Sequence, residues 1–166
     1  MGQLKIDLIK EHLIKSWMTH DGMWFRYCLE ECGIEKTNKI NLLAVESMAR
    51  IEIRRIKNLS NIDEIETFED LKDFLDLVFN IVKGEFMNFS YDFTLKNSFY
   101  FIMHKCFAYE GMIRLKTLDC YQCGIYKRIE SWFDELGVKY EVYPPLEECL
   151  MLKEGRCERR YNFNFK

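Results

Sequence analysis

The chain has 166 residues, of which 48% are hydrophobic and 15% aromatic, enough for a substantial core and well outside the composition of disordered chains. A net charge of −3 gives no basic surface for a nucleic-acid partner. No apolar run approaches the roughly 18 residues of a membrane helix, and charges interrupt the first ten residues too often for a signal peptide, so a cytoplasmic protein without a membrane partner is expected.

The first eighty residues read as three helices. Ile6, Ile9, Leu13 and Trp17 recur at three- and four-residue steps and predict a buried stripe. Gly22 interrupts the pattern, which resumes through Trp24, Phe25 and Cys28 and stops near Gly33. A second helix places Ile40, Leu43, Ala44, Ser47, Met48 and Ile51 inward, and Arg50, Arg54, Arg55 and Lys57 on a solvated face. In the third, Thr67 and Asp70 have capping-box spacing. Its inner stripe is Leu71, Phe74, Leu75, Val78 and Val82, and Gly84 ends it.

The period then changes to two. Met87, Phe89, Tyr91, Phe93 and Leu95 alternate with polar residues and predict a half-buried strand. Asn97 and Ser98 supply a turn to an antiparallel partner at residues 99–106. Gly111 suggests a bend before a weaker strand at residues 112–118. A helix follows from about Gln122, with Ile125, Ile129, Trp132, Phe133 and Leu136 inward and Gly137 as its stop. Val138, Tyr140 and Val142 alternate again, and a hairpin around Lys153 to Arg156 leads to a strand with Tyr161, Phe163 and Phe165 on one face. Helices followed by mostly adjacent strands give an α+β class. The expectation is a single domain over residues 1–166: a helical half at 1–83 packs on a mainly antiparallel sheet, with one further helix, at 84–166.

Five of seven cysteines fall after residue 105: Cys106, Cys120, Cys123, Cys149 and Cys157. Cys120-Tyr-Gln-Cys123 is a C-x-x-C at a helix start, where amides stabilise thiolate and two sulfurs can share an ion. The hairpin reading sets Cys149 opposite Cys157, and a strand reading sets His104 on the same face as Cys106. Thiolates with an imidazole suit zinc or iron, including iron–sulfur clusters, and not magnesium or calcium. The plainer alternative is packing, since free cysteine is commonly buried as a small hydrophobe, or a redox-active dithiol. Cys28 and Cys32, one helical turn apart, read as core.

Outside the cysteines, His20 and Asp21 interrupt an apolar helix, and an adjacent acid can orient an imidazole for proton transfer. The alternative is a helix break in which Asp21 caps and His20 packs. Arg114 could bind an anionic or amide group or form a surface ion pair, and Tyr91 and Tyr100 could line a small-molecule cavity or belong to the core.

The late landmarks are Cys106, Arg114, Cys120-x-x-Cys123-Gly124, Arg128-x-x-x-Trp132, Leu136-Gly137, Cys149, Gly155-x-Cys157 and Phe163-x-Phe165. Together with His20-Asp21-x-x-Trp24-Phe25 they resemble the L-2-amino-thiazoline-4-carboxylic acid hydrolase-like group. The Cys149…Gly155-x-Cys157…Phe pattern is more distantly similar to the 4-vinyl reductase domain, a small-molecule-binding α+β module. The resemblance implies either a ligand- or metal-binding domain, or hydrolysis of a carbon–nitrogen bond in a small cyclic amide-like substrate. In the second case Cys106 or Cys123 would be nucleophile or metal ligand and His20 a proton carrier. The binding domain is the first expectation and the hydrolase the alternative.

Overall fold

The computed structural model of the chain describes residues 5–60, 62, 64–93, 95–145 and 148–165. Its first element, α1 (Ile6–Ser60), is broken at Gly33, where φ of 73° and ψ of 168° leave the helical region. Helix resumes at once, and Thr37 steadies the break by donating its hydroxyl to the Gly33 carbonyl at 2.7 Å. The break is a reversal. Trp17 lies 5.3 Å from the Arg128 guanidinium, and the Glu52 carboxylate accepts from the same guanidinium at 2.9 Å. At about 1.5 Å per residue, an unbroken helix would hold Trp17 and Glu52 roughly 50 Å apart. The two arms of α1 therefore fold back on one another.

Helix α2 (Phe68–Val82) begins at the expected capping box: the Asp70 amide donates to Thr67 Oγ1 at 3.1 Å and the Thr67 amide to the Asp70 carboxylate at 2.9 Å. Its buried face carries Leu71, Phe74, Leu75, Val78 and Phe79. Four strands follow in the order β1-β2-β4-β3, every neighbouring pair antiparallel: β1 (Asn88–Asp92), β2 (Ser98–Lys105), β3 (Tyr140–Tyr143) and β4 (Cys157–Phe163). Between β2 and β3 lie α3 (Phe107–Leu115), a 3₁₀ turn at Leu118–Cys120 and α4 (Gly124–Leu136), and α5 (Leu150–Glu154) precedes β4. The class is α+β, as the periodicity predicts.

One aromatic core joins the layers. Phe79 of α2 stacks on Tyr91, Phe99 and Phe101 and meets Trp132 of α4 edge-on at 5.8 Å. Phe133 of α4 packs on Phe99, Tyr161 and Phe163. Helix α4 thus lies between the sheet and α1, to which Arg128–Glu52, Lys127–Glu46 and Arg50–Glu135 tie it. Arg54 pairs with Glu135 as well, so part of the basic cluster serves this seam.

Several expectations are corrected. Gly22 sits inside unbroken helix. Ile6, Ile9, Leu13 and Trp17 are exposed, Leu13 by 61%, and Phe25 is the residue that the first arm buries among those described. On the second arm Leu43 and Ile51 are exposed, while Thr37, Asn38, Asn41, Ala49, Ile53 and Ile56 are buried. A helical period finds a stripe but not what covers it, and here the covered face is partly polar. Cys32 is exposed and Cys28 only half-buried, so neither is core. Residues 112–118 are no strand: α3 occupies most of them, and Gly111 lies within it. The expected Lys153 hairpin is α5 followed by Gly155 at φ 70°, so the described residues of the C-terminal half form three α-helices and not one. Strand β1 ends at Asp92, and Thr94 lies outside the described residues.

Candidate functional site

Three of the late cysteines stand at helix starts. Cys106 is the N-cap of α3, Cys123 of α4 and Cys149 of α5, while Cys157 opens β4. These four line one small cavity of about 10 Å³, together with Met103, Tyr109, Tyr121, Ile125, Tyr126, Leu150 and Met151. A hydroxyl or carboxylate ordinarily caps a helix. Here the Tyr109 amide donates to Cys106 Sγ at 3.4 Å, so sulfur does that work. All seven cysteines are free thiols.

The electrostatics of the four thiols are shared. Burial pushes the Cys123 thiol up to about 12, against the pull of the Tyr126 and Ile125 amides, and nearby Cys106 and Cys157 push it further. Burial likewise carries Cys157 up to about 11, opposed by the Tyr126 hydroxyl and Arg159. The Cys106 thiol is raised by burial and by Cys149, while the Tyr109 and Ala108 amides lower it. Protonated thiols are poor nucleophiles. A bound cation would reverse this balance, because a coordinating thiol is deprotonated outright. Among the described residues, no three or more His, Cys, Asp or Glu side chains are already disposed to hold a metal ion.

The surroundings fix the C-x-x-C segment. Asn38 on the second arm of α1 donates to the Cys120 carbonyl at 2.6 Å and accepts from the Gln122 amide at 3.2 Å. A side chain added at Gly124 would stand 3.3 Å from Asn41 and 3.4 Å from Val45, so glycine lets α4 start this close to α1. Tyr121 accepts from the Gly124 amide at 3.3 Å and meets Phe25 edge-on. The Tyr126 hydroxyl lies 3.3 Å from Cys157 Sγ. Over the Tyr126 ring, at 4.9 Å, sits the guanidinium of Arg159, which is only 2% exposed and pairs with Glu130.

The remaining candidates disperse. Cys120 is exposed in the 3₁₀ turn, so Cys123 is the cysteine of the pair that faces the cavity. His104 is exposed on the outer face of β2 and pairs with Ser90 Oγ at 2.8 Å, whereas Cys106 has already turned into the helix cap. Cys149 and Cys157 meet at the cavity through a helix cap and a strand start, not as opposite residues of a hairpin. Tyr91 stacks on Phe79, and with Lys72, Asp76, Asp92 and Phe93 it borders an open hollow of about 420 Å³. Tyr100 lies on the opposite face of the sheet against Arg160, and Arg114 is exposed on α3, so these three form no common pocket.

His20 and Asp21 lie on the first arm of α1. Burial raises the Asp21 pKa, and His20 and Arg128 oppose it. The leading influences on Cys106 are burial, the Tyr109 and Ala108 amides, Cys149 and Glu110.

Asn38, Tyr121, Tyr126 and Arg159 are the site residues that sequence reasoning missed. The available signal was polarity on an inner face: Asn38 and Asn41 one turn apart in α1, and Arg159 at an inward position of β4.

A family model described as a family of unknown function (DUF6125) matches residues 3–132, which include Cys106 and Cys123 and stop short of Cys149 and Cys157. No curated protein and no solved structure matches the chain.

Proposed function

The chain belongs to the family of unknown function DUF6125, and from that premise we propose that it is a metal-binding domain whose centre is a single zinc or iron ion held by Cys106, Cys123, Cys149 and Cys157. The observation that carries this reading is their convergence: four cysteines from three helix starts and one strand start line one cavity. Four thiolates in tetrahedral array are a common structural zinc set and also suit iron.

The size of the cavity separates the candidates. About 10 Å³ is close to the room one water or one ion needs. Small-molecule pockets run to about 300–1,000 Å³, and an iron–sulfur cluster with its sulfides needs far more space than a lone ion. Binding would turn the four thiols inward about χ1 and strip their protons. The amides at the caps of α3 and α4 favour the charged sulfurs that result. A cytoplasmic, reducing location goes with this reading, because it keeps the four sulfurs available to metal.

The hydrolase alternative, with His20, Asp21 and Cys106, has weaker support. Its nucleophile would be a thiol that burial holds protonated. The deciding experiment is elemental analysis with an absorption spectrum on protein purified under reducing, oxygen-free conditions. One zinc or iron per chain is expected. Metal-free protein that takes up neither ion on reconstitution would sink the proposal.

A further inference from the structure

Arginine is rarely buried without a task, yet Arg159 lies on the inner face of β4 with its side chain 1% exposed. Its partners come from one turn of α4, from its own strand and from Pro144, which follows β3. Nε donates to the Pro144 carbonyl at 2.9 Å, Nη1 pairs with the Glu130 carboxylate, and the guanidinium sits over the rings of Tyr126 and Tyr161 at 4.9 and 5.6 Å. Glu130 and Tyr126 are one turn apart on α4, and Arg159 and Cys157 share the inner face of β4 two residues apart. The result is a file of groups that runs from the partly exposed Glu130 through buried Arg159 and Tyr126 to Cys157, ending on a sulfur at the cavity wall.

We propose that Tyr126 is an outer positioning residue of the thiol centre: it donates its hydroxyl proton to the Cys157 sulfur and is held in place by Arg159. This rests on the metal-centre reading above. Between a neutral thiol and a phenol either atom can donate. Once Cys157 is a thiolate, only the phenol has a proton to give, so ligand formation fixes the direction of the bond. The guanidinium over the ring draws electron density from the phenol and makes it a better donor. A donated hydrogen bond lowers the electron density on sulfur and restricts the Cys157 rotamer. Groups that orient metal ligands in this way typically affect metal affinity by about 10–100-fold.

Cobalt(II) is the probe, because its thiolate-to-metal charge-transfer absorption reports on the sulfurs directly. Wild-type protein, reduced and metal-free, is titrated with cobalt(II) alongside Tyr126→Phe and, as a control, Tyr100→Phe on the outer face of the sheet. Tyr126→Phe should bind one cobalt with its charge-transfer band at longer wavelength and with affinity about 10–100-fold lower in chelator competition. Tyr100→Phe should match wild type. A fluorinated tyrosine at position 126, a stronger donor of nearly the same shape, should move the band the other way, which a purely packing role would not do. It also keeps the test decisive if Tyr126→Phe folds poorly. If wild type binds cobalt and the fluorinated and phenylalanine proteins show the wild-type band and affinity, this inference fails and the metal centre stands. If wild type takes up no cobalt, the metal-centre reading fails and takes the inference with it.

Discussion

Cys149 and Cys157 border the same cavity without any strand pairing between them: one caps α5, the other opens β4, and the turn at Gly155 brings them together. The same cavity receives Cys106 and Cys123, so mutation should divide the cysteines into two classes. Serine at position 106, 123, 149 or 157 should abolish metal retention and lower the melting temperature of metal-loaded protein, because metal binding and folding are coupled. Cys120→Ser and Cys32→Ala, at exposed positions, should keep full stoichiometry and cost less than about 1 kcal/mol. Melts of all seven single variants with and without chelator make the comparison. Uniform, chelator-insensitive losses would mean that the sulfurs only pack.

Asn38 couples α1 to the C-x-x-C segment by two hydrogen bonds, to the Cys120 carbonyl and from the Gln122 amide. Asn38→Ala leaves both backbone groups without that partner and should destabilise the protein by about 1–3 kcal/mol in urea melts. It should also weaken metal retention, since Cys123 follows immediately. Stability loss without any change in metal affinity would reduce Asn38 to a packing role.

Stability of the metal-free protein should fall as pH rises above about 8.5, where thiols of the unfolded chain begin to ionise. Folded Cys123 and Cys157 stay protonated until about 12 and about 11, held there chiefly by burial. Between these limits the unfolded state binds fewer protons than the folded one, so the slope of stability against pH is negative. Below about pH 10 the unfolded tyrosines have not yet joined in, so the early fall belongs to the thiols. Melting temperatures at successive pH values in chelator and reductant should decline over that interval, and less steeply in Cys123→Ala. A flat wild-type profile would contradict the burial of these sulfurs.

Glu130→Gln removes the charge opposite Arg159, whose side chain is 1% exposed against 22% for Glu130. Breaking a buried pair from one side typically costs about 3–5 kcal/mol. The partly solvated carboxylate puts the expected loss near the lower end, measured by denaturant unfolding. A loss no larger than that of an exposed pair would show that Arg159 is compensated by Pro144 and Tyr161 alone.

The reversal at Gly33 depends on its backbone and not on free space, since a Cβ there would meet nothing within 4 Å. Gly33→Ala should therefore cost about 1–3 kcal/mol through strain at φ 73° and ψ 168°. Gly111→Ala, equally uncrowded but inside α3, should stabilise by about 0.5–1 kcal/mol. Opposite signs in paired urea melts are the expected result. Equal effects would place the turn elsewhere.

The legible parts of the fold are those with conventional punctuation. Thr67 and Asp70 announce α2, Gly137 ends α4, and the alternation around Phe89 and Phe99 marks β1 and β2. Cysteine stands at the N-caps of α3, α4 and α5 alike, but α4 runs for 13 residues and shows a full inward stripe, whereas α3 and α5, with 9 and 5 residues, are too short to show one. Lys116 further hides the end of α3, taking up the left-handed conformation that usually advertises itself as glycine. The exposed stripe of Leu13 and Trp17 was misplaced because periodicity carries no information about the opposing layer. For the site, residue type identified the late thiols, but their grouping depends on where α5 and β4 run. Asn38, Tyr126 and Arg159 acquire meaning only from long-range neighbours.

The strand order also sets a schedule for chain synthesis. Strand β2, rich in aromatics, pairs on one side with β1 just before it and on the other with β4, Phe99 facing Tyr161 across most of the C-terminal half. The helical hairpin of α1 can form from neighbouring sequence as it emerges, but β2 keeps an open edge until β4 is made. Cys157 rides on that same late strand. The cavity wall is therefore completed only when the sheet closes, and a nascent chain stalled before β4 would present three of the four cavity thiols and an unprotected aromatic edge together.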